Sequence, residues 1–327
     1  MSISLLFGGD LMMGRLVKKA MLKYGVDYPL KNIVPLFKSS DINIVNLECA
    51  ITSSSMKWSG TPKAFYFGAS PNAAKALETS HIDVVSLANN HLLDFDYQGL
   101  KDTLLLLDKY NIKHTGAGEN IFSAKEPAFF EYQNIKFAMV AYCDHQADFS
   151  ADKKTPGINF LNLRNVSHAI DIIEKDFAIM ADKKVDWPIL SFHWGENMVL
   201  EPTQSMIEVA HAAIDIGYKI IFGHSAHVFH GVEFYKNYPI IYAAGDLVDD
   251  YAVDPYLRND LGLLFKLIID NDQVNKIILH PLYLDFCKTL PADNEQTQFI
   301  EKRMQKLCSA FNTKLEHDDL DQLTISP

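Results

Sequence analysis

Six short runs rich in β-branched and aromatic residues each end in a small polar cluster, and this repeated pattern constrains the fold more than any other feature. Ser2–Phe7 ends in Gly8-Gly9-Asp10, Ile42–Val45 in Asn46-Leu47-Glu48, and Ile82–Leu87 in Ala88-Asn89-Asn90-His91. Ile189–Phe192 ends in His193-Trp194-Gly195-Glu196, Lys219–Phe222 in Gly223-His224, and Ile240–Ala243 leads into Gly245-Asp246. Runs of this length and composition read as strands. Helix-patterned stretches lie between them: Leu16–Tyr24, stopped by Gly25; Pro71–Thr79, opened by Ser70; Tyr97–Tyr110; Val166–Ala181; and Gln204–Ile216, stopped by Gly217. Phe129–Tyr142 and Gly262–Leu284 read as antiparallel ladders with turns near Asn134 and Asn271. The alternation predicts an α/β fold with mixed sheets.

Composition narrows the function classes. A chain of 327 residues, 48% hydrophobic, is long enough for one large core, and we expect one compact domain. The net charge of −11 comes without any lysine- or arginine-rich block, which argues against a nucleic-acid partner. Cys49, Cys143, Cys287 and Cys308 have neither zinc-site spacing nor disulfide density and read as reduced thiols. No apolar run approaches the roughly 18 residues that span a bilayer, and the start lacks a basic leader segment. The expectation is a cytoplasmic protein with no direct membrane insertion.

In open α/β sheets, ligands bind outside the carboxyl ends of the strands, so side chains just past those ends can converge. Here those positions hold Asp10, Glu48, Asn90, His91, His193, Glu196, His224 and His227. This oxygen-and-imidazole set, free of thiolate, suits divalent metals. Taken singly, Asp10 also reads as a turn residue, Asn90 as a loop amide and Glu196 as a helix-start carboxylate. His224 and His227, three apart after a glycine-terminated strand, are harder to explain without an ion. Asp144, His145 and His230 lie near these segments and read as loop residues. Asp249-Asp250-Tyr251 reads either as the rim of the site or as a solvated acidic loop.

Gly9-Asp10-Leu11-Met12-Met13-Gly14-Arg15, Asn46-Leu47-Glu48, Asn89-Asn90-His91 with Asp94, His193-Trp194-Gly195-Glu196 and Gly223-His224-Ser225-Ala226-His227 resemble the CapA-like proteins, named for poly-γ-glutamate capsule synthesis. Gly116-Ala117-Gly118-Glu119-Asn120 adds to the match, which runs over residues 1–250. That family looks like a branch of the calcineurin-like metallophosphoesterases. The resemblance implies a four-layer α/β/β/α sandwich of two mixed sheets, with a domain over residues 1–290 and a C-terminal helix and tail over 291–327, packed on it or extending from it.

The resemblance also implies a dimetal site, with manganese, iron and zinc not distinguishable. Asp10 and His227 would serve one metal, Asn90, His193 and His224 the other, and Glu48 would bridge them. His91 would be the catalytic residue that protonates a leaving oxygen. Two positions depart from the phosphoesterase pattern: Met12 stands where a histidine ligand is expected, and Glu48 where the bridge is an aspartate. Glu196 is the expected substitute for the lost ligand. With only four arginines in the chain, Arg15 and Arg258 are the expected clamps for an anionic substrate, small or polymeric. The implied activity is phosphoester hydrolysis, with amide hydrolysis or an accessory role in polymer handling as the alternatives.

Overall fold

The computed structural model describes residues 2–270 and 272–327. The strand Ile3–Leu11 is buried along its whole length, with neighbours on both edges of its sheet. On one edge it runs parallel to Ile42–Leu47, which continues to Val84–Ser86 and Lys113–Thr115. On the other it pairs antiparallel with Leu261–Asp270, followed by Gln273–Leu284. The predicted turn at Asn271 lies outside the described residues. The short strand Asp246–Val248 also pairs in parallel with the end of Ile3–Leu11.

A second, six-stranded sheet is centred on Trp187–His193, parallel to Ile135–Cys143 and to Ile220–His224. The hairpin Ala128–Tyr132 with Ile135–Cys143 forms as expected, turning through Gln133 and Asn134, both at positive φ.

Side chains alternate between the two faces of each strand, and here both faces are covered. Leu5, Phe7 and Ile44 share one core with Met139, Ile189 and Phe222 of the other sheet, and the Phe7 and Phe222 rings lie 5.1 Å apart. Leu6, Val45 and Val85 point the other way, against Val17, Leu77 and Leu107 of the helices Arg15–Tyr24, Asn72–Thr79 and Asp96–Lys109. In the second sheet, Val140, Leu190 and Ile221 meet Ile173 and Val209 of the helices Val166–Asp182 and Gln204–Ile216. Burial on both faces is why these strands read as continuous apolar runs.

After residue 290, the helix Asn294–Ser309 contributes Ile300 and Met304 to the core between the sheets, and Leu323–Ile325 pairs with Gln273–Leu284. Among the described residues, no helix is long and apolar enough to cross a membrane. All four cysteines are buried and unpaired.

Two glycines let backbones approach where the functional side chains emerge. A Cβ at Gly9 would collide with the carbonyl oxygen of Gly245, and one at Gly223 with that of Tyr242. The close approach at Gly9 seats Asp10, whose N–H donates to the Gly245 carbonyl at 2.9 Å.

Candidate metal centre

Asp10, at the end of its strand, is fully buried, and both of its carboxylate oxygens are held. Oδ1 accepts from Asn46 Nδ2 at 2.7 Å and Oδ2 from the Ser225 N–H at 3.0 Å. Two histidines from the facing sheet meet it. His193 and His224 are partners across their parallel strands, and their Nδ1 atoms lie 3.8 and 3.6 Å from Asp10 Oδ1. His193 Nε2 is 3.1 Å from Asn90 Oδ1, and His224 Nε2 is 2.9 Å from Ser191 Oγ.

A second group uses the same aspartate. Asp10, Glu48, His227 and Asp246 each offer one atom within 4.8 Å of the others, as do Asp10, His193 and His224. His227 Nδ1 sits 2.9 Å from Asp246 Oδ1, and Glu48 Oε1 is 3.8 Å from His193 Nε2.

The electrostatics of this region are compatible with a cation. Burial, then the neighbouring charge of Asp246, raises Asp10 to about 7, and burial with the charge of Asp10 pushes Glu48 well above the carboxylate range. Burial alone takes His224 down to about 3, and burial with the surrounding histidines takes His193 well down. For His227, burial disfavours the charged form, but Asp246, Glu48 and Asp10 together outweigh it and raise the ring to about 10. Oδ2 of Asp246 is buried with no hydrogen-bond partner. Buried carboxylates this close are stable only when protonated, paired or bound to a metal, and their raised proton affinity marks a place that a cation can take instead. Hard carboxylates with imidazoles suit a divalent ion.

His91 stands beside these groups. Its ring stacks on Phe67 at 3.7 Å, Nδ1 lies 2.6 Å from Asp94 Oδ2, and Nε2 is 4.0 Å from Glu48 Oε1. Burial, only partly offset by Asp94, lowers it to about 4. Lys63 fixes this corner by pairing with Asp94 Oδ1 at 2.6 Å and donating to the Asn90 carbonyl. Arg15 lies over the Phe65 and Phe67 rings, with Nε 3.4 Å from Asp250. Asp249 and Asp250 are buried and Tyr251 is half-buried, so this segment is not a solvated loop: the Tyr251 hydroxyl reaches Glu48 Oε2 at 3.5 Å, and its ring meets His227 edge-on.

Two of the expected residues stand differently from the ligand groups. Glu196 is exposed, because the chain turns away at Gly195 (φ 80°), and it joins neither ligand group. Arg258 pairs with Asp260 through both Nε and Nη2, at 2.7 and 2.8 Å. Met12 is buried in the helix-facing core, its sulfur taking the Gly14 N–H. The fourth acidic or imidazole member beside Glu48 and His227 is instead Asp246, which sequence reasoning did not assign. Its one signal is that Gly245-Asp246 repeats the Gly9-Asp10 pair after a strand.

Residues 4–251 match the model of the family described as "Bacterial capsule synthesis protein PGA_cap". The chain belongs to this family. Among PGA_cap relatives, it is 30% identical over 247 residues to the capsule biosynthesis protein CapA of Bacillus anthracis, covering 74% of this chain and 58% of that one. It is 31% identical over 250 residues to the PGA biosynthesis protein CapA of Bacillus subtilis, covering 76% and 63%. It thus spans less than two thirds of the length of either. A probable polyglutamine synthesis accessory protein of Mycobacterium tuberculosis is 28% identical over 294 residues, covering 85% of this chain and 75% of that one. In three dimensions the PGA_cap chain resembles a phosphatase from Mycoplasma pneumoniae, with TM-score 0.53 and 14% identity over 91% of this chain and 97% of that one, a likeness of fold. The family match takes in Asp10, Glu48, Asn90, His91, His193, His224, His227 and Asp246.

Proposed function

We propose that this protein is a metal-dependent hydrolase, with two cation positions that share Asp10, acting on an anionic phosphoester. The observation that carries the reading is the pair of ligand groups meeting at one buried aspartate. Asp10, His193 and His224, with Asn90, would hold one ion; Asp10, Glu48, His227 and Asp246 would hold the other. Divalent cations so placed supply Lewis acidity to a phosphoryl centre and to the water that attacks it.

The remaining roles fall to the chain's own groups. His91, with Nδ1 fixed on Asp94, presents Nε2 toward Glu48; burial keeps the free ring neutral, so Nε2 first takes up a proton from water and then hands it to the leaving oxygen. Arg15 keeps part of its guanidinium free of Asp250 and offers it to substrate oxygens. The buried carboxylates exclude a second anion unless the cations are in place, which couples substrate binding to metal.

The names of the relatives favour a second reading, in which the same centre cleaves or handles a γ-glutamyl polymer. One experiment separates the two. The chelated protein, reloaded with Mn2+, Fe2+ or Zn2+, is offered phosphomonoesters, phosphodiesters and γ-glutamyl amides. Metal-restored cleavage of a phosphomonoester or phosphodiester supports the first reading; amide cleavage without phosphoester cleavage replaces it with the second.

A further inference from the structure

His224 and His227 belong to different ligand groups yet are joined by a tight turn, and that turn is strained. Ser225 has φ 97° and His227 φ 59°, both left-handed and neither glycine. Such conformations persist only where surrounding structure holds them. Ser225 is held from two sides. Its N–H donates to Asp10 Oδ2 at 3.0 Å, and its Oγ lies 3.0 Å from His145 Nε2. His145 Nδ1 is in turn 2.9 Å from Asp144 Oδ1.

Asp144 is itself anchored to the strand end that bears His193. Its N–H donates to the His193 carbonyl at 3.1 Å, and its Oδ2 accepts from the Gly195 N–H at 3.2 Å. The His145 ring packs edge-on against the His193 ring at 5.8 Å. One chain of contacts therefore runs from His193 through Asp144 and His145 to Ser225, the first of the two residues between His224 and His227.

We propose that Asp144 and His145 form a positioning brace for Ser225, setting the His224–His227 turn so that its two histidines reach the two ligand groups. The inference rests on the metal reading above and adds residues to it: neither Asp144 nor His145 is a ligand. Groups that orient ligands in this way typically govern metal affinity by about 10–100-fold.

The test titrates Mn2+ into the metal-free full chain and melts the same metal-free samples. His145→Ala and Ser225→Ala are expected to weaken Mn2+ binding by about 10–100-fold. His145→Gln, whose amide can still meet the Ser225 hydroxyl, is expected to stay close to wild type. Ser225→Gly relieves the backbone but removes the hydroxyl, so it is expected to melt no lower than Ser225→Ala and still bind weakly; it carries the test if an alanine variant fails to fold. Wild-type affinity in Ser225→Gly, or in both alanine variants, overturns the brace alone. Absence of Mn2+ binding by the wild-type chain overturns the metal reading and the brace with it.

Discussion

Asp246 lies directly opposite Asp10 in the parallel pairing of their two strands, and its Oδ1 meets His227 at 2.9 Å. This places a carboxylate beside the aspartate that both ligand groups share, in a sequence that has a methionine where a histidine ligand is expected. Asp246→Asn keeps the volume and removes the charge. We predict that it abolishes the cation position built on Glu48 and His227 while the one built on His193 and His224 persists. Calorimetric titration with Mn2+ would then lose one class of sites; retention of both classes removes Asp246 from the centre.

His224 and His230 are both buried histidines, but His224 closes the strand Ile220–His224 and lies by Asp10, whereas His230 precedes the strand Val232–Tyr235. His230 Nε2 is 2.7 Å from the Val199 carbonyl oxygen, an ordinary buried contact. His224→Ala should therefore deplete metal in the purified protein far more than His230→Ala does. Equal metal content in the two variants contradicts the assignment.

Metal binding should release protons. His227, raised to about 10, carries a proton at neutral pH, and Asp10, raised to about 7, carries one part of the time. Ligands must shed their protons before they bind a cation, so apparent affinity should rise with pH between about 6 and about 8. Titrations in buffers of different ionisation enthalpy would show net proton release. Affinity independent of pH over that window would mean that neither group is displaced.

Arg15 touches the site through Phe67, the ring on which His91 stacks. Arg15→Ala is expected to weaken binding of inorganic phosphate by about 2–3 kcal/mol, the range for a charged hydrogen-bonded partner, with metal content unchanged. Unaltered phosphate affinity in a fully loaded variant would show that this guanidinium serves Asp250 and the aromatic pair only.

Much of this centre was legible because strand ends announce themselves. Asp10, His193 and His224 stand at the polar ends of apolar runs, and the periodic helices between those runs read as an α/β fold with mixed sheets. What escaped depends on contacts distant in sequence. Asp246 matters because a short strand returns to Ile3–Leu11, and no local pattern records that pairing. His145 reads as a loop residue until Ser225, eighty positions later, lies against it. Lys63 sits in an irregular segment whose sequence gives no sign that it closes on Asp94. Glu196 illustrates the converse: its motif is local, but after the left-handed Gly195 its side chain is exposed. Arg258, judged by its scarcity, is taken up by a carboxylate two residues away.

The most direct test of the account is anomalous diffraction from crystals of the full chain soaked in Mn2+. The account predicts two anomalous peaks, one on each side of the Asp10 carboxylate, the first among His193, His224 and Asn90 and the second among Glu48, His227 and Asp246. Anomalous density absent from Asp10, or confined to surface carboxylates, would contradict it.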